Sequence, residues 1–207
     1  MSSQKFMAEL FGTFTLAFIV WLSIAFTMPF STPVMAGLTL GLLVYTVGGI
    51  SGAHLNPAVT LAIMSIRKIS PHDAAYYIVA QLIGASLAMI LGILLAGHGL
   101  ALPQNATLMT GVGEAIGAFF LCFTVSAATL GKIQPGAAGI AVGTSLFIGI
   151  FTALHFSNAI LNPAVALGLG SVGPMYVLGP VIGALLGAWL AHWIFADQKK
   201  GKKAWLW

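Results

Sequence analysis

Two Asn-Pro-Ala triplets are the residues of this sequence whose types and spacing could do chemistry: Asn56-Pro57-Ala58 and Asn162-Pro163-Ala164. Asparagine is among the best helix N-cap residues and proline is favoured at the first helical position, so each triplet predicts a sharp helix start. A helix N-terminus carries about half a positive charge, and an asparagine amide adds hydrogen-bond donors. Two such ends facing each other would hold a water molecule by its oxygen, hinder proton transfer and repel cations. The alternative, in which each Asn-Pro pair merely caps a buried helix, is disfavoured because the triplet occurs twice.

The elements that must position the triplets are long apolar runs. Of the 207 residues, 59% are hydrophobic and 6% are charged, which is too little polar surface for a soluble globule. Two short runs near 56–66 and 162–170 begin at the triplets and reach about half way across a membrane. Six longer runs can each cross a hydrocarbon core of roughly 30 Å; they lie at about 6–28, 34–51, 73–96, 109–130, 136–156 and 174–196. We therefore expect an all-α membrane protein with six transmembrane helices plus two re-entrant half-helices.

The two halves of the sequence resemble each other. Residues 8–14 resemble residues 113–119, and residues 81–85 resemble residues 180–184, while the triplets lie 106 positions apart. Because each half contributes three spans, the second half crosses the membrane in the opposite direction, and the repeat is inverted. Inverted repeats with broken helices place their functional site near the midplane. The triplets are therefore expected to meet there, at the starts of half-helices that enter from opposite sides.

Positive charge predicts the orientation of the chain. If the N-terminus is cytoplasmic, all eight Lys and Arg residues fall on the cytoplasmic side, and the loops on the other side contain none. We expect a multi-pass protein of the cell membrane with both termini in the cytoplasm. The expected organisation is a single domain over 1–207, with repeat 1 at about 5–96, repeat 2 at about 109–196 and a basic cytoplasmic tail at 197–207.

The residues around the first triplet carry a family resemblance. Residues 51–60, with the sequence SGAHLNPAVT, resemble the first signature of the aquaporin, or major intrinsic protein, family. The resemblance extends over essentially the whole chain. It implies a channel domain of six tilted helices plus two half-helices, and passive transport of water and small neutral solutes without a cofactor or a chemical step. It also implies a homotetramer in the lipid bilayer, with one pore in each protomer.

The resemblance also locates a selectivity filter, in which this chain departs from the family. Most members have an arginine directly after the second triplet, where this chain has Val165. The family's spacing puts the other three filter positions at Ala36, Ile150 and Ala159. The resulting ring is wholly apolar. Its set Ile150, Ala159 and Val165 resembles that of some plant vacuolar members which pass water together with urea and hydrogen peroxide. We expect water, urea, ammonia and hydrogen peroxide to pass, with glycerol as a further candidate, and the paired triplets to carry most of the proton exclusion.

Four ionisable residues could act near the half-helices. Glu9 and Glu114 lie within predicted spans, where an ionisable residue needs partners. They could form a proton relay, but the resemblance favours carboxylates that brace the irregular backbone before each half-helix by accepting its N–H groups. His54 precedes the first triplet, and His155 lies seven positions before the second. Their charge change near neutral pH makes a gate conceivable, although packing of the loop is the commoner role.

Other functional classes find less support. The few bases are scattered between apolar blocks, so the net charge of +4 implies no nucleic-acid partner. With the single cysteine Cys122, and with no metal-ligand spacing or Ser/His/Asp constellation, we expect neither a metal site nor an enzyme. The strongest alternative is an ion- or proton-coupled secondary transporter, since that class shares inverted repeats and broken helices. Coupling normally needs ionisable groups along the path, and the deeply placed candidates are the two glutamates.

Overall fold

In the computed structural model, which describes residues 2–103 and 107–196, the chain forms eight α-helices and no β-strand. They are α1 (Ser3–Ala25), α2 (Thr32–Ser51), α3 (Pro57–Ser65), α4 (Pro71–Ala96), α5 (Leu108–Thr129), α6 (Pro135–Ala153), α7 (Pro163–Gly168) and α8 (Met175–Ala196). All but α3 and α7 are long and apolar enough to cross a membrane, which makes six such helices among the described residues. The predicted architecture is confirmed. The predicted basic tail at 197–207 lies outside the described residues.

Proline and short hydrogen-bonding turns set the ends of the helices. Five helices carry proline within their first two positions, where a backbone N–H would lack a helical partner anyway. The first helix begins three residues earlier than predicted because the Ser2 hydroxyl accepts a hydrogen bond from the Lys5 N–H at 3.4 Å. Helix α6 ends three residues earlier than predicted, and the chain tightens there because the Phe156 N–H donates to the Ala153 carbonyl at 2.9 Å, three residues back. Every predicted helix end lies within three residues of the observed one.

Glycine allows the long helices of each half to touch. In the first half α4 packs on α1, and in the second half α8 packs on α5. A Cβ at Gly84 would overlap the carbonyl oxygen of Leu10, and a Cβ at Gly183 would overlap that of Ala115. The two contacts are equivalent in the repeat. Small residues at membrane helix interfaces permit this close approach of backbones.

The seam between the two halves is also made of glycine. In α2 and α6 the spacing is Gly-x-x-x-Gly, at Gly37 and Gly41 in one helix and at Gly139 and Gly143 in the other. A Cβ on Gly37 would lie 2.7 Å from the oxygen of Gly143, and a Cβ on Gly41 would lie 2.8 Å from that of Gly139. The halves therefore meet backbone to backbone, as in other closely packed membrane helices.

The distribution of polarity suits a bilayer. The side chains of Glu9, Gln81 and Glu114 are fully buried, whereas Leu94 and Leu108 expose 73% and 72% of their surface. These two carboxylates and this amide thus lie inside the protein, while large apolar side chains such as Leu94 and Leu108 point outward. The chain is a multi-pass membrane protein whose polar groups gather around the two half-helices.

Candidate functional site

Two irregular segments lead into the half-helices. The first follows α2 and precedes α3, and the second follows α6 and precedes α7. Both contain non-glycine residues with positive φ at equivalent places: Ala53 (48°) and Leu55 (50°) in the first, Ala159 (52°) and Leu161 (58°) in the second. Such a conformation costs roughly 1–3 kcal/mol for each residue, so surrounding contacts must stabilise both segments.

The carboxylate of Glu9 makes those contacts in the first segment. Its Oε1 accepts hydrogen bonds from the Ser51 hydroxyl at 2.6 Å and from the His54 N–H at 3.0 Å. Its Oε2 accepts from the Leu55 N–H at 2.7 Å and from Nε2 of Gln81 at 2.7 Å. Hydrogen bonds from several donors offset the cost of burying the carboxylate. They also hold the backbone N–H groups that no helix satisfies.

Glu114 has the equivalent place in the second segment. Its Oε1 accepts from the Ser157 hydroxyl at 2.8 Å and from the Ile160 N–H at 3.0 Å, and its Oε2 accepts from the Leu161 N–H at 2.6 Å. Pro180 occupies the position that the glutamine has in the first half and offers no amide. The two carboxylates therefore hold equivalent backbone groups, but the polar cluster is larger in the first half.

The side chain of each triplet asparagine makes two kinds of hydrogen bond, one accepted by its oxygen and one donated by its nitrogen. Oδ1 of Asn56 accepts from the Ala58 N–H at 2.8 Å, which caps α3, while its Nδ2 donates to the Leu161 carbonyl at 2.9 Å. Oδ1 of Asn162 caps α7 by accepting from the Ala164 N–H at 3.0 Å, and its Nδ2 donates to the Leu55 carbonyl at 2.9 Å. An amide nitrogen carries two protons, so one N–H of each asparagine is left for another partner. The sequence predicted the cap and the free donor but not the bonds between the halves.

A cavity of about 260 Å³ passes beside both triplets. Asn56 and Asn162 both line it, and most of the other lining side chains are aliphatic. Pro57 and Pro163 are the first residues of the half-helices. The polar side chains in the wall of the cavity are those of Thr32, His54, Asn56, Ser157, Asn158 and Asn162. A small molecule in this cavity would meet a few polar groups in an otherwise apolar wall, which is the usual composition of sites for small neutral molecules.

The four apolar residues that the sequence singled out all line this cavity. Ala36 belongs to α2, Ile150 to α6, Ala159 to the second irregular segment and Val165 to α7. Each is buried in the protein, with 6% of its surface exposed at most. Four different elements therefore bring these side chains to one cavity. None of the four side chains has a hydrogen-bonding group.

The two histidines have different surroundings. His54 lines the cavity, and its Nδ1 lies 3.3 Å from the Thr60 hydroxyl. His155 is exposed, its ring contacts Phe156, and it does not line the cavity. The structure brings one of the two candidate gating residues to the passage. Gating itself stays a prediction.

Two serines that the sequence did not single out as bracing residues extend the carboxylate contacts. The Ser51 hydroxyl accepts from the Ala53 N–H at 3.0 Å, and the Ser157 hydroxyl accepts from the Ala159 N–H at 2.8 Å. Each serine therefore links a glutamate to a residue with positive φ. The serines lie 106 positions apart, as the triplets do, so the repeat itself was the signal that could have found them.

Asn158 was also missed. Its Nδ2 donates to the Pro103 carbonyl at 2.9 Å and to the Ser171 hydroxyl at 3.3 Å, and its own N–H donates to the Tyr176 hydroxyl at 3.4 Å. It ties the loop after α4, from which Leu102 reaches the cavity, to the second segment. No local pattern could have revealed this, because the partners are far apart in sequence. Within the described ranges, no three His, Cys, Asp or Glu side chains are grouped to hold a metal ion.

The sequence matches one family over nearly its whole length. The model of the family described as "Major intrinsic protein" matches residues 1–191. Nodulin-26 of Glycine max is 37% identical over 207 residues, which cover 90% of this chain and 76% of that protein. Aquaporin NIP1-1 of Oryza sativa is 35% identical over 206 residues, covering 90% of this chain and 72% of the relative. The probable aquaporin AqpM of Archaeoglobus fulgidus is 31% identical over 243 residues, which cover 93% of this chain and 97% of that protein.

A solved structure has the same fold. The aquaglyceroporin from Plasmodium falciparum superposes with a TM-score of 0.68 over 96% of this chain and 99% of that chain. The sequence identity is 21%, so this likeness concerns the arrangement of the helices.

Proposed function

The chain belongs to the major intrinsic protein family, and from that premise we propose that it is a passive channel for water and small uncharged solutes. Family membership supports the channel class. The solutes that we propose besides water are urea, ammonia and hydrogen peroxide, with glycerol as the largest candidate.

One observation carries this proposal: a single cavity is lined by both triplet asparagines and by all four apolar residues of the proposed filter. A neutral molecule that loses part of its hydration in the apolar ring recovers hydrogen bonds at the asparagines. An ion loses far more hydration free energy in such a ring, and a cation is then repelled by the positive ends of two half-helices. The wall thus favours neutral over charged solutes.

Proton exclusion is proposed to depend on the two asparagines. Each keeps one N–H free while its oxygen is engaged as a helix cap, so the amide can only donate to a passing water. A water that accepts from both asparagines has its lone pairs occupied, and it cannot receive a proton from a neighbouring water. Val165 stands in place of the usual arginine, so this arrangement works without a fixed positive charge in the filter.

Coupled transport by an ion or proton has less support from the cavity. Of the described side chains that line it, His54 alone is ionisable. Glu9 and Glu114 lie outside the lining and have their oxygens engaged by backbone and side-chain donors. We therefore expect solute flux to follow the solute's own gradient.

The proposed setting is the cell membrane, with both termini in the cytoplasm and four copies in each assembly. Orientation rests on the positions of Lys and Arg, which all fall on one side of the six spans. The tetramer is carried over from the family. No cofactor and no nucleic acid are part of the proposal.

Light scattering from proteoliposomes tests the proposal. Vesicles with and without protein are exposed to gradients of an impermeant osmolyte, urea and glycerol, and the rates of shrinkage and re-swelling are compared. We expect faster water flow than in empty vesicles, and re-swelling in urea without any ion gradient. Water flow equal to that of empty vesicles would refute the channel, and solute flux that needs an ion gradient would favour a coupled transporter.

A further inference from the structure

The second irregular segment carries a polar side chain that the first one lacks. Asn158 lies 106 positions after Gly52, so the repeat makes these two residues equivalent. Asn158 is partly buried and lines the cavity, whereas Gly52 has no side chain and does not line it. The two halves of the cavity wall therefore differ at this position.

Asn158 lies toward one end of the cavity. Helices α5 and α6 cross the membrane in opposite directions, so after α6 the chain is again on the side where α4 ended. The side chain of Asn158 meets the loop after α4 there, at Pro103. In the proposed orientation this side is the outside of the cell. Asn158 also directly precedes Ala159 of the proposed filter.

The orientation of the Asn158 amide is fixed by Pro103. The Pro103 carbonyl oxygen lies 2.9 Å from Nδ2 of Asn158; a carbonyl can only accept, and proline has no N–H. The amide must therefore turn its nitrogen, and not its oxygen, toward Pro103. Its second N–H points to the Ser171 hydroxyl at 3.3 Å. Both protons of the amide are thus used inside the protein.

The oxygen of the same amide is left to accept a hydrogen bond. Among the described residues none donates to Oδ1 of Asn158. Pro103 and Ser171, the partners of the nitrogen, do not line the cavity, whereas Asn158 does. Oxygen and nitrogen point in different directions from the same carbon, so the oxygen is the polar end of this side chain that faces the cavity.

The polarity of this group is opposite to that of the triplet asparagines. Asn56 and Asn162 use their oxygens as helix caps and offer an N–H to the cavity. Asn158 uses its nitrogen and offers its oxygen. A solute with N–H or O–H groups gives up hydrogen bonds to water when it enters the apolar ring. An acceptor one residue away from Ala159 replaces one of those hydrogen bonds.

We infer that Oδ1 of Asn158 is a binding site at the outer end of the pore for neutral solutes that donate hydrogen bonds, such as urea and ammonia. This inference rests on the proposed channel function. A urea molecule that enters from outside donates to Asn158 and then accepts from Asn56 and Asn162. A molecule of the same size without N–H or O–H groups gains nothing at Asn158. The site therefore selects for donors.

Solute flux separates the acceptor from the tie between the loops. Asn158→Asp and Asn158→Leu both lose the donor to Pro103, but aspartate keeps an oxygen that accepts. The permeability ratio of urea to water should be about threefold or more higher in Asn158→Asp than in Asn158→Leu, the size expected for one hydrogen bond. Ser171→Ala keeps the oxygen and the contact to Pro103, and it should retain the wild-type ratio. Equal ratios in the two Asn158 variants would overturn the acceptor site.

Solid-state NMR tests binding without any measurement of transport, and it needs no variant that folds. The wild type is labelled with ¹³C-asparagine and placed in lipid vesicles. The Asn158 signal is assigned in a separate sample through Ser157-Asn158, the only Ser-Asn pair in the sequence. A nitrogen of ¹⁵N-urea that donates to Oδ1 lies roughly 4 Å from Cγ of Asn158, so it should dephase the Cγ signal in the frozen sample.

The two experiments have separate outcomes. Absence of dephasing at the urea concentration of the flux assay would overturn the binding site. If the wild type passed neither water nor urea, the channel proposal would fail, while the dephasing would still show whether urea binds at Asn158.

Discussion

The side-chain nitrogen of Asn162 lies 2.9 Å from the carbonyl oxygen of Leu55 and donates a hydrogen bond to it across the boundary between the two halves. The oxygen of the same side chain caps α7. Since the two ends of the amide have different partners, one substitution can remove the donor and leave the cap in place.

Asn162→Asp is expected to increase proton leakage. Aspartate caps a helix as well as asparagine does, so α7 should remain. Its second oxygen cannot donate to Leu55 or to a passing water, and it adds a negative charge at the pore centre. Proton flux under a pH gradient, followed with a pH-sensitive dye inside vesicles, should rise about tenfold, as a barrier lowered by ~1.4 kcal/mol would give. Asn158→Asp places the same negative charge on the cavity wall outside the triplets and serves as the control. An equal rise of proton flux in both variants would contradict the role given to Asn162.

Val165→Arg is expected to narrow the passage. The Val165 side chain lines the cavity and is 3% exposed, so a long charged side chain must enter the space used by solutes. The flux of urea and glycerol should fall more than the flux of water in the same vesicles. Val165→Ala, which keeps the wall apolar without narrowing it, should show no such loss. If Val165→Arg lowered water and solute flux equally, Val165 would not line the narrowest point.

Glu114→Gln is expected to destabilise the second segment. The amide would replace one acceptor oxygen and leave a buried donor, such as the N–H of Ile160 or Leu161, unpaired. An unpaired buried group costs about 1–3 kcal/mol, and thermal unfolding in detergent should show a loss of this size. Asp73→Asn, near the start of α4, is a control that removes a carboxylate closer to the protein surface and should lose less. Similar losses in both variants would show that the buried carboxylate has no special bracing role.

Ala159→Cys is expected to make water flow sensitive to mercurials. The wild type has one cysteine, Cys122, which is completely buried in α5, so the wild type should be blocked weakly. A cysteine at 159 would place a thiol on the cavity wall, and water flow should then fall strongly on treatment and recover with a reducing agent. As a matched control, Cys122→Ser is introduced both into the wild type and into Ala159→Cys. Strong inhibition of the wild type that disappears in Cys122→Ser would contradict this expectation.

Much of the fold could be predicted because the bilayer requires it. A helix that crosses the hydrocarbon must be long and apolar, and proline and asparagine mark where such helices begin. Their spacing from the triplets likewise brought Ala36, Ile150, Ala159 and Val165 together as one set, and all four line the cavity. Their role as a filter stays a prediction. The end of α6 was predicted three residues too late because the apolar residues Leu154 and Phe156 follow Ala153 without a proline or glycine between them.

The finer features of the site depend on contacts that no local pattern records. The positive φ of Leu55 and Leu161 turns their carbonyls toward the opposite asparagines, and leucine gives no signal of such a conformation. The surroundings of His54 likewise involve Gln81, a residue of another helix, whose Nε2 donates to the Thr60 hydroxyl at 3.0 Å. Likewise, the exposed position of His155 follows from the early end of α6.

The reciprocal bonds of the asparagines have a consequence for biogenesis. The partner of Asn56 lies 105 residues further along the chain, so the first half-helix emerges long before its partner carbonyl exists. At a synthesis rate of about 5–20 residues per second, the delay is on the order of 5–20 s. During that time the first segment has the Glu9 contacts but not those to the second half. Insertion machinery must therefore accommodate a half-finished, polar re-entrant loop until the second half arrives, and we expect a chain truncated after α4 to be recognised as incomplete.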